Sequence, residues 1–190
     1  ARIEGVPYYY HVFPPLADSS QAGPSPSGQR QYYTVVYQNI QFIFLDSQVY
    51  FGEAGKTEQE EWLDQRLKDD QFKYSVVITH VPPFTSSVIH PADSLPVRQA
   101  WHDKFAGAGV PLVLSGHSHN YERLAVDGVT YVVTGGGSSE LYPALKLDSQ
   151  SQAFSWSSHF VLLEFYQDQI QVTAIDKDGK VIDQAQVLVR

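Results

Sequence analysis

The run Tyr74-Ser75-Val76-Val77-Ile78-Thr79-His80-Val81-Pro82-Pro83 decides the fold. Its β-branched, nearly continuous apolar core is the pattern of a strand buried on both faces of a sheet. Proline cannot donate to a central ladder, so the strand stops at His80. Downstream, 111–114 repeats the arrangement: a short apolar strand that runs into Ser115-Gly116-His117-Ser118-His119. The spacing predicts a helix over 95–106 between the two. Upstream, Ile40-Gln41-Phe42-Ile43-Phe44-Leu45 is a third buried strand, joined to 32–37 as a hairpin across Gln38-Asn39. A helix over 57–68 separates it from the His80 strand. Thr57 is the expected N-cap, Glu60 completes a capping box, and Trp62, Leu63 and Leu67 form the apolar stripe.

Farther out the pattern changes. Residues 129–134, 159–166, 170–175 and 181–188 read as strands without intervening helices. Gln167-Asp168-Gln169 and Asp176-Lys177-Asp178-Gly179-Lys180 read as hairpin turns. Toward the N-terminus, 8–13 reads as a short aromatic strand, and 14–30, with Pro24-Ser25-Pro26-Ser27-Gly28, as a surface loop. A β-α-β-α-β middle followed by antiparallel strands predicts an α/β fold, a two-sheet α/β sandwich.

The chain has 190 residues, of which 43% are hydrophobic and 18% charged, a balance that sustains a buried core. A formal charge of -8 argues against a nucleic-acid partner, since such a surface repels phosphate backbones. With no cysteine, disulfides, thiolate nucleophiles and Cys-held metals are excluded. No stretch approaches the ~20 apolar residues of a membrane helix, so no membrane insertion is expected. The first residue is Ala rather than Met, and the chain is expected to be part of something longer.

In open α/β sheets, sites form beyond the carboxyl ends of the strands. His80 ends one such strand, and His117 with His119 follows the other. Gly116 lets the chain turn sharply, so that Gly116-His117-Ser118-His119 can aim two imidazoles at one point. Neutral imidazole is a good ligand for zinc, iron and manganese. The spacing alone also suits hydrogen-bonded structural histidines, and both readings stand on the residues by themselves.

The wider set of motifs resembles one family. Val77-Ile78-Thr79-His80 before Pro82-Pro83, then Leu114-Ser115-Gly116-His117-Ser118-His119-Asn120-Tyr121-Glu122-Arg123, look like the last two motifs of the calcineurin-like metallophosphoesterases, in their purple-acid-phosphatase-like branch. Phe42-Ile43-Phe44-Leu45-Asp46, Glu58-Gln59-Glu60-Glu61-Trp62-Leu63 and Tyr131-Val132-Val133-Thr134-Gly135-Gly136-Gly137 match in order. The resemblance implies the sandwich fold of that family and a dinuclear centre of Fe, Zn or Mn, with His80 and His117 on one ion and His119 on the other. It further implies hydrolysis of phosphate esters by a metal-bound hydroxide. The family's earlier motifs, which supply the bridging carboxylate and an Asn ligand, are absent from 1–79. The expectation is that 1–190 is the C-terminal half of a catalytic domain, incomplete at the N-terminus, inactive by itself and needing an N-terminal half as partner. Export to a secreted or periplasmic setting, common in this branch, is the expected localisation. The alternative is a truncated or degenerate non-catalytic binding or structural module.

Other candidates carry less. His90, on the loop after His80, could overhang the site and touch substrate phosphate, although its sequence favours a solvated loop histidine. Asp46 reads as loop-orienting, Arg123 as a salt-bridge residue and His159 as structural. Gly135-Gly136-Gly137-Ser138-Ser139 lacks the Gly-Lys-Ser/Thr ending of a phosphate cradle and reads as a flexible turn bordering the site. Asp176-Lys177-Asp178-Gly179 lacks the downstream ligands of a calcium loop.

Overall fold

The computed structural model describes residues 2–3, 6–7, 31–51 and 56–189. Strands β1 (Arg2–Ile3) and β2 (Val6–Pro7) form a small antiparallel ladder. Then follow β3 (Tyr33–Tyr37), β4 (Ile40–Leu45), helix α1 (Lys56–Leu67), β5 (Tyr74–Thr79), helix α2 (Ser94–Gly107) and β6 (Leu112–Ser115). The chain ends in β7 (Tyr121–Val126), β8 (Val129–Thr134), β9 (Ser151–Ser155), β10 (His159–Phe165), β11 (Gln169–Asp176) and β12 (Val181–Leu188). A seven-stranded sheet has the order β3-β4-β5-β6-β8-β7-β9, and a three-stranded antiparallel sheet the order β10-β11-β12. The expected α/β two-sheet architecture is present, including the antiparallel C-terminal segment.

Neighbouring residues of the central strands bury on opposite faces, which explains their unbroken apolar runs. Ile43, Val77 and Val113 share one core with Trp62 and Leu63 of α1 and Val97, Trp101 and Phe105 of α2. Ile40, Val76, Leu112 and Val132 face the other way, packing with Ile170, Val172 and Ala174 of β11. The two sheets are also joined by polar groups: Asp183 of β12 accepts from Tyr121 Oη at 2.6 Å and from Arg123 Nε at 2.7 Å. The salt-bridge role expected for Arg123 is met there.

Several expectations need correction. Helix α1 begins at Lys56, so Thr57 lies within its first turn rather than capping it. Strand β7 was not expected: Tyr121-Glu122-Arg123 continues from the histidine loop straight into a hairpin with β8. Its turn is Asp127-Gly128, with φ of 48° and 82°, the left-handed conformations a two-residue hairpin turn demands. Strand β9 was missed as well, because Ser151-Gln152-Ala153-Phe154-Ser155 has little β-branched character. The aromatic strand expected at 8–13 and the loop at 14–30 lie outside the described residues.

Register positions the site. The parallel strands align Leu45 with Thr79 and Thr79 with Ser115, so the residues that follow them emerge at one level. Gly116 N–H donates to the His80 carbonyl at 3.0 Å, locking the two strand ends together.

Candidate metal centre

His80 and His117 meet beyond the ends of β5 and β6. His80 Nε2 lies 3.2 Å from His117 Nδ1, with the rings nearly perpendicular at 75°. Two nitrogens bound to one ion at about 2.0–2.1 Å, at common coordination angles, lie about 3.0–3.4 Å apart, so this spacing suits a shared ion. His117 has a φ of 62°, a left-handed backbone that costs a non-glycine residue about 1–2 kcal/mol. That turn aims Nδ1 at His80 and Nε2 at Asp93, whose Oδ2 lies 3.0 Å away. The carboxylate accepts the Nε2 proton and thereby leaves the Nδ1 lone pair directed at His80. Desolvation holds the His80 pKa below its ordinary value, with the nearby His117 and His119 rings lowering it further. Both effects favour the neutral form of His80, the form that binds metal.

His119 lies on the same loop as His117 but is held by the segment that follows β8. Its Nδ1 donates to the Glu140 carbonyl at 2.8 Å, and its ring stacks on Tyr142 with centroids 4.1 Å apart. Nε2 is the nitrogen left to act as a ligand. Among the described residues, no group of three or more His, Asp or Glu side chains stands ready to hold a metal ion. The donor set thus fits a pair of imidazoles on one ion and a single imidazole beside it, with further ligands required from elsewhere.

His90 lies at the rim, 57% exposed, with a left-handed φ of 55° and its ring centroid 5.5 Å from that of His117. Its ring neighbours that of His117. Asp93 was missed in the sequence; its one local signal is its place just before helix α2, where an acidic residue also caps. Asp46 holds its own loop: Oδ1 accepts from Gln48 N–H, while the buried Gln59 amide bonds both the N–H and the carbonyl of Asp46. His159 is structural, donating from Nδ1 to the Ser157 carbonyl and accepting from Thr134 Oγ1. The Gly135-Gly136 turn is held tight by packing: a Cβ on Gly135 would come 2.2 Å from the Ser118 carbonyl oxygen, and one on Gly136 would come 2.0 Å from His159 Nδ1.

No family model matches the chain. A serine/threonine-protein phosphatase, CPPED1 of Rattus norvegicus, is 33% identical over 99 residues, 46% of this chain and 32% of that protein. Probable purple acid phosphatase 20 of Arabidopsis thaliana is 31% identical over 106 residues, 53% of this chain and 24% of its own length. The chain spans about a third or less of the curated relatives it matches. Among solved structures, the purple acid phosphatase PPD1 of yellow lupin superposes with a TM-score of 0.76 at 19% identity, covering 97% of this chain and 35% of that one. The protein GAP50 of Plasmodium superposes with a TM-score of 0.67 at 20% identity, covering 84% and 53%. In its two-sheet fold and over the part of these relatives that it spans, the chain is similar to phosphatases of the metallophosphoesterase type, the purple acid phosphatases among them.

Proposed function

We propose that this chain supplies the histidine side of a dinuclear phosphoesterase centre, with His80 and His117 on one ion and His119 on the other. The observation that carries the reading is the 3.2 Å approach of His80 Nε2 to His117 Nδ1 at the carboxyl ends of adjacent parallel strands. Metal ions bound there supply charge neutralisation for phosphate oxygens and an activated water. The chain's own residues do the rest. Asp93 orients the His117 ring, the Glu140 carbonyl fixes the tautomer of His119, and the exposed His90 reaches substrate phosphate. In this reading the chain is the C-terminal half of a catalytic domain. The carboxylate ligands come from an N-terminal half, the isolated chain is inactive, the substrates are phosphate esters, and the setting is secreted or periplasmic.

The test is metal content and hydrolysis of a chromogenic aryl phosphate by a protein joining this chain to such an N-terminal half. His117→Ala or His119→Ala should remove at least one ion and lower hydrolysis by more than about 100-fold. Unchanged metal content and turnover in both variants would end the reading. A non-catalytic module is the second reading. It is favoured by the incomplete ligand set, since no group of three or more ligating side chains stands together among the described residues, and absence of metal and hydrolysis from the joined protein would select it.

A further inference from the structure

We infer that Glu122 is a positioning residue for the candidate centre, acting through Ser86. Its carboxylate is fully buried, at 0% exposure, in the second position of β7. Both oxygens serve one residue: Oε2 accepts from Ser86 N–H at 2.7 Å and Oε1 from the Ser86 hydroxyl. Among the described residues it has no cationic partner. A buried carboxylate without a counter-charge is costly unless several donors hold it. Here the two Ser86 donors hold it, so the carboxylate and Ser86 are fixed by each other.

What the carboxylate holds is the segment between His80 and α2. Two donors from one serine fix both its backbone and its side-chain rotamer. The Ser86 oxygen in turn accepts from Asp148 N–H at 2.7 Å, tying in the loop that follows β8. One residue earlier, Thr85 Oγ1 meets Ser118 Oγ at 3.2 Å, inside the His117–His119 turn. Two residues later, Val88 N–H donates to the Pro143 carbonyl. Beyond this anchor the segment carries its two site residues, His90 over the His117 ring and Asp93 on His117 Nε2. Glu122 therefore sets where Asp93 and His90 stand, and through Asp93 the direction of the His117 lone pair. The inference rests on the reading that these loops carry the centre, but its main readout needs neither metal nor turnover.

The test is nitrogen-15 NMR of the histidine side chains in the metal-free chain, comparing wild type with Glu122→Ala, Glu122→Gln and Ser86→Ala. The wild type should show a protected Nε2–H on His117, donated to Asp93. Glu122→Ala and Ser86→Ala should lose or broaden that signal while the Nδ1–H of His159 and the Nε2–H that His102 donates to Asp127 Oδ2, 3.0 Å away, stay in place. Glu122→Gln keeps one acceptor for the Ser86 amide and should retain part of the signal. If Glu122→Ala does not fold, Ser86→Ala and Glu122→Gln carry the comparison. Zinc titration should show affinity reduced by about 10-fold or more where the His117 signal is lost. Variants that are less stable yet keep the His117 signal intact would overturn the inference and leave Glu122 as packing. A wild type that shows the signal but binds no zinc would instead count against the metal reading.

Discussion

His90 and His117 both hold left-handed backbone conformations, and the other non-glycine residues with positive φ among those described, Gln38 and Asp127, sit in hairpin turns. Strain outside the hairpin turns thus falls, among the described residues, on two histidines of the candidate site, where a surrounding network must hold it. For His117 that network includes Asp93, so Asp93→Asn should lower zinc affinity by about 10–100-fold with little change in stability, as calorimetric titration can show. Equal affinity in the variant would mean that the carboxylate does not orient the ring. The histidines themselves are legible in the sequence, because β-branched runs that stop at a proline pair or a glycine announce strand ends. Asp93 and Glu122 are not. Their partners, His117 and Ser86, lie 24 and 36 residues away, and nothing local marks such a pairing.

At the scale of elements, parallel strands β5 and β6 deliver the two histidine loops, and the turn after β8 braces the second of them. Glycine at 135 is required by backbone approach, since any side chain meets the Ser118 carbonyl. Gly135→Ala should therefore cost about 1–3 kcal/mol and weaken zinc binding by displacing the His117–His119 turn. A urea midpoint and a zinc titration on the same variant check both effects, and wild-type values in both would contradict the close packing. The sequence shows three glycines and suggests flexibility; the packing partner that forbids a Cβ becomes visible only when the turn is folded against residue 118. Strand β7 is the opposite case. Its Asp127-Gly128 turn was a readable hairpin signal, overshadowed by the motif residues just before it.

Across the whole molecule, the two sheets are joined by apolar packing and by the Asp183–Arg123–Tyr121 cluster. Burial raises the Asp183 carboxyl, but hydrogen bonds from Arg123 and Tyr121 and the Arg123 charge outweigh it, leaving the carboxyl below its ordinary range. A depressed carboxyl contributes stability above the unfolded value near 3.9, and that contribution is lost as pH falls through the folded value. Both partners are largely buried, with side-chain exposures of 17% and 10%. Asp183→Ala should cost about 2–4 kcal/mol at neutral pH and flatten the fall in stability below about pH 4. Denaturant midpoints of both proteins from pH 7 down to pH 3 measure this, and an unchanged acid profile in the variant would assign the link elsewhere. The sandwich itself was legible from strand runs and helix stripes, and so was the salt-bridge role of Arg123, whereas its partner Asp183, 60 residues away, was not.

The central claim is that His80 and His117 share one metal ion. The most direct test is titration with zinc of a protein joining this chain to an N-terminal half that supplies the further ligands, followed by nitrogen-15 NMR of the imidazole rings. The account predicts that His80 Nε2 and His117 Nδ1 shift together to the range of metal-bound nitrogen, while the rings of His102 and His159 stay as they are. Shifts confined to other histidines, or none at all up to millimolar zinc, would contradict it.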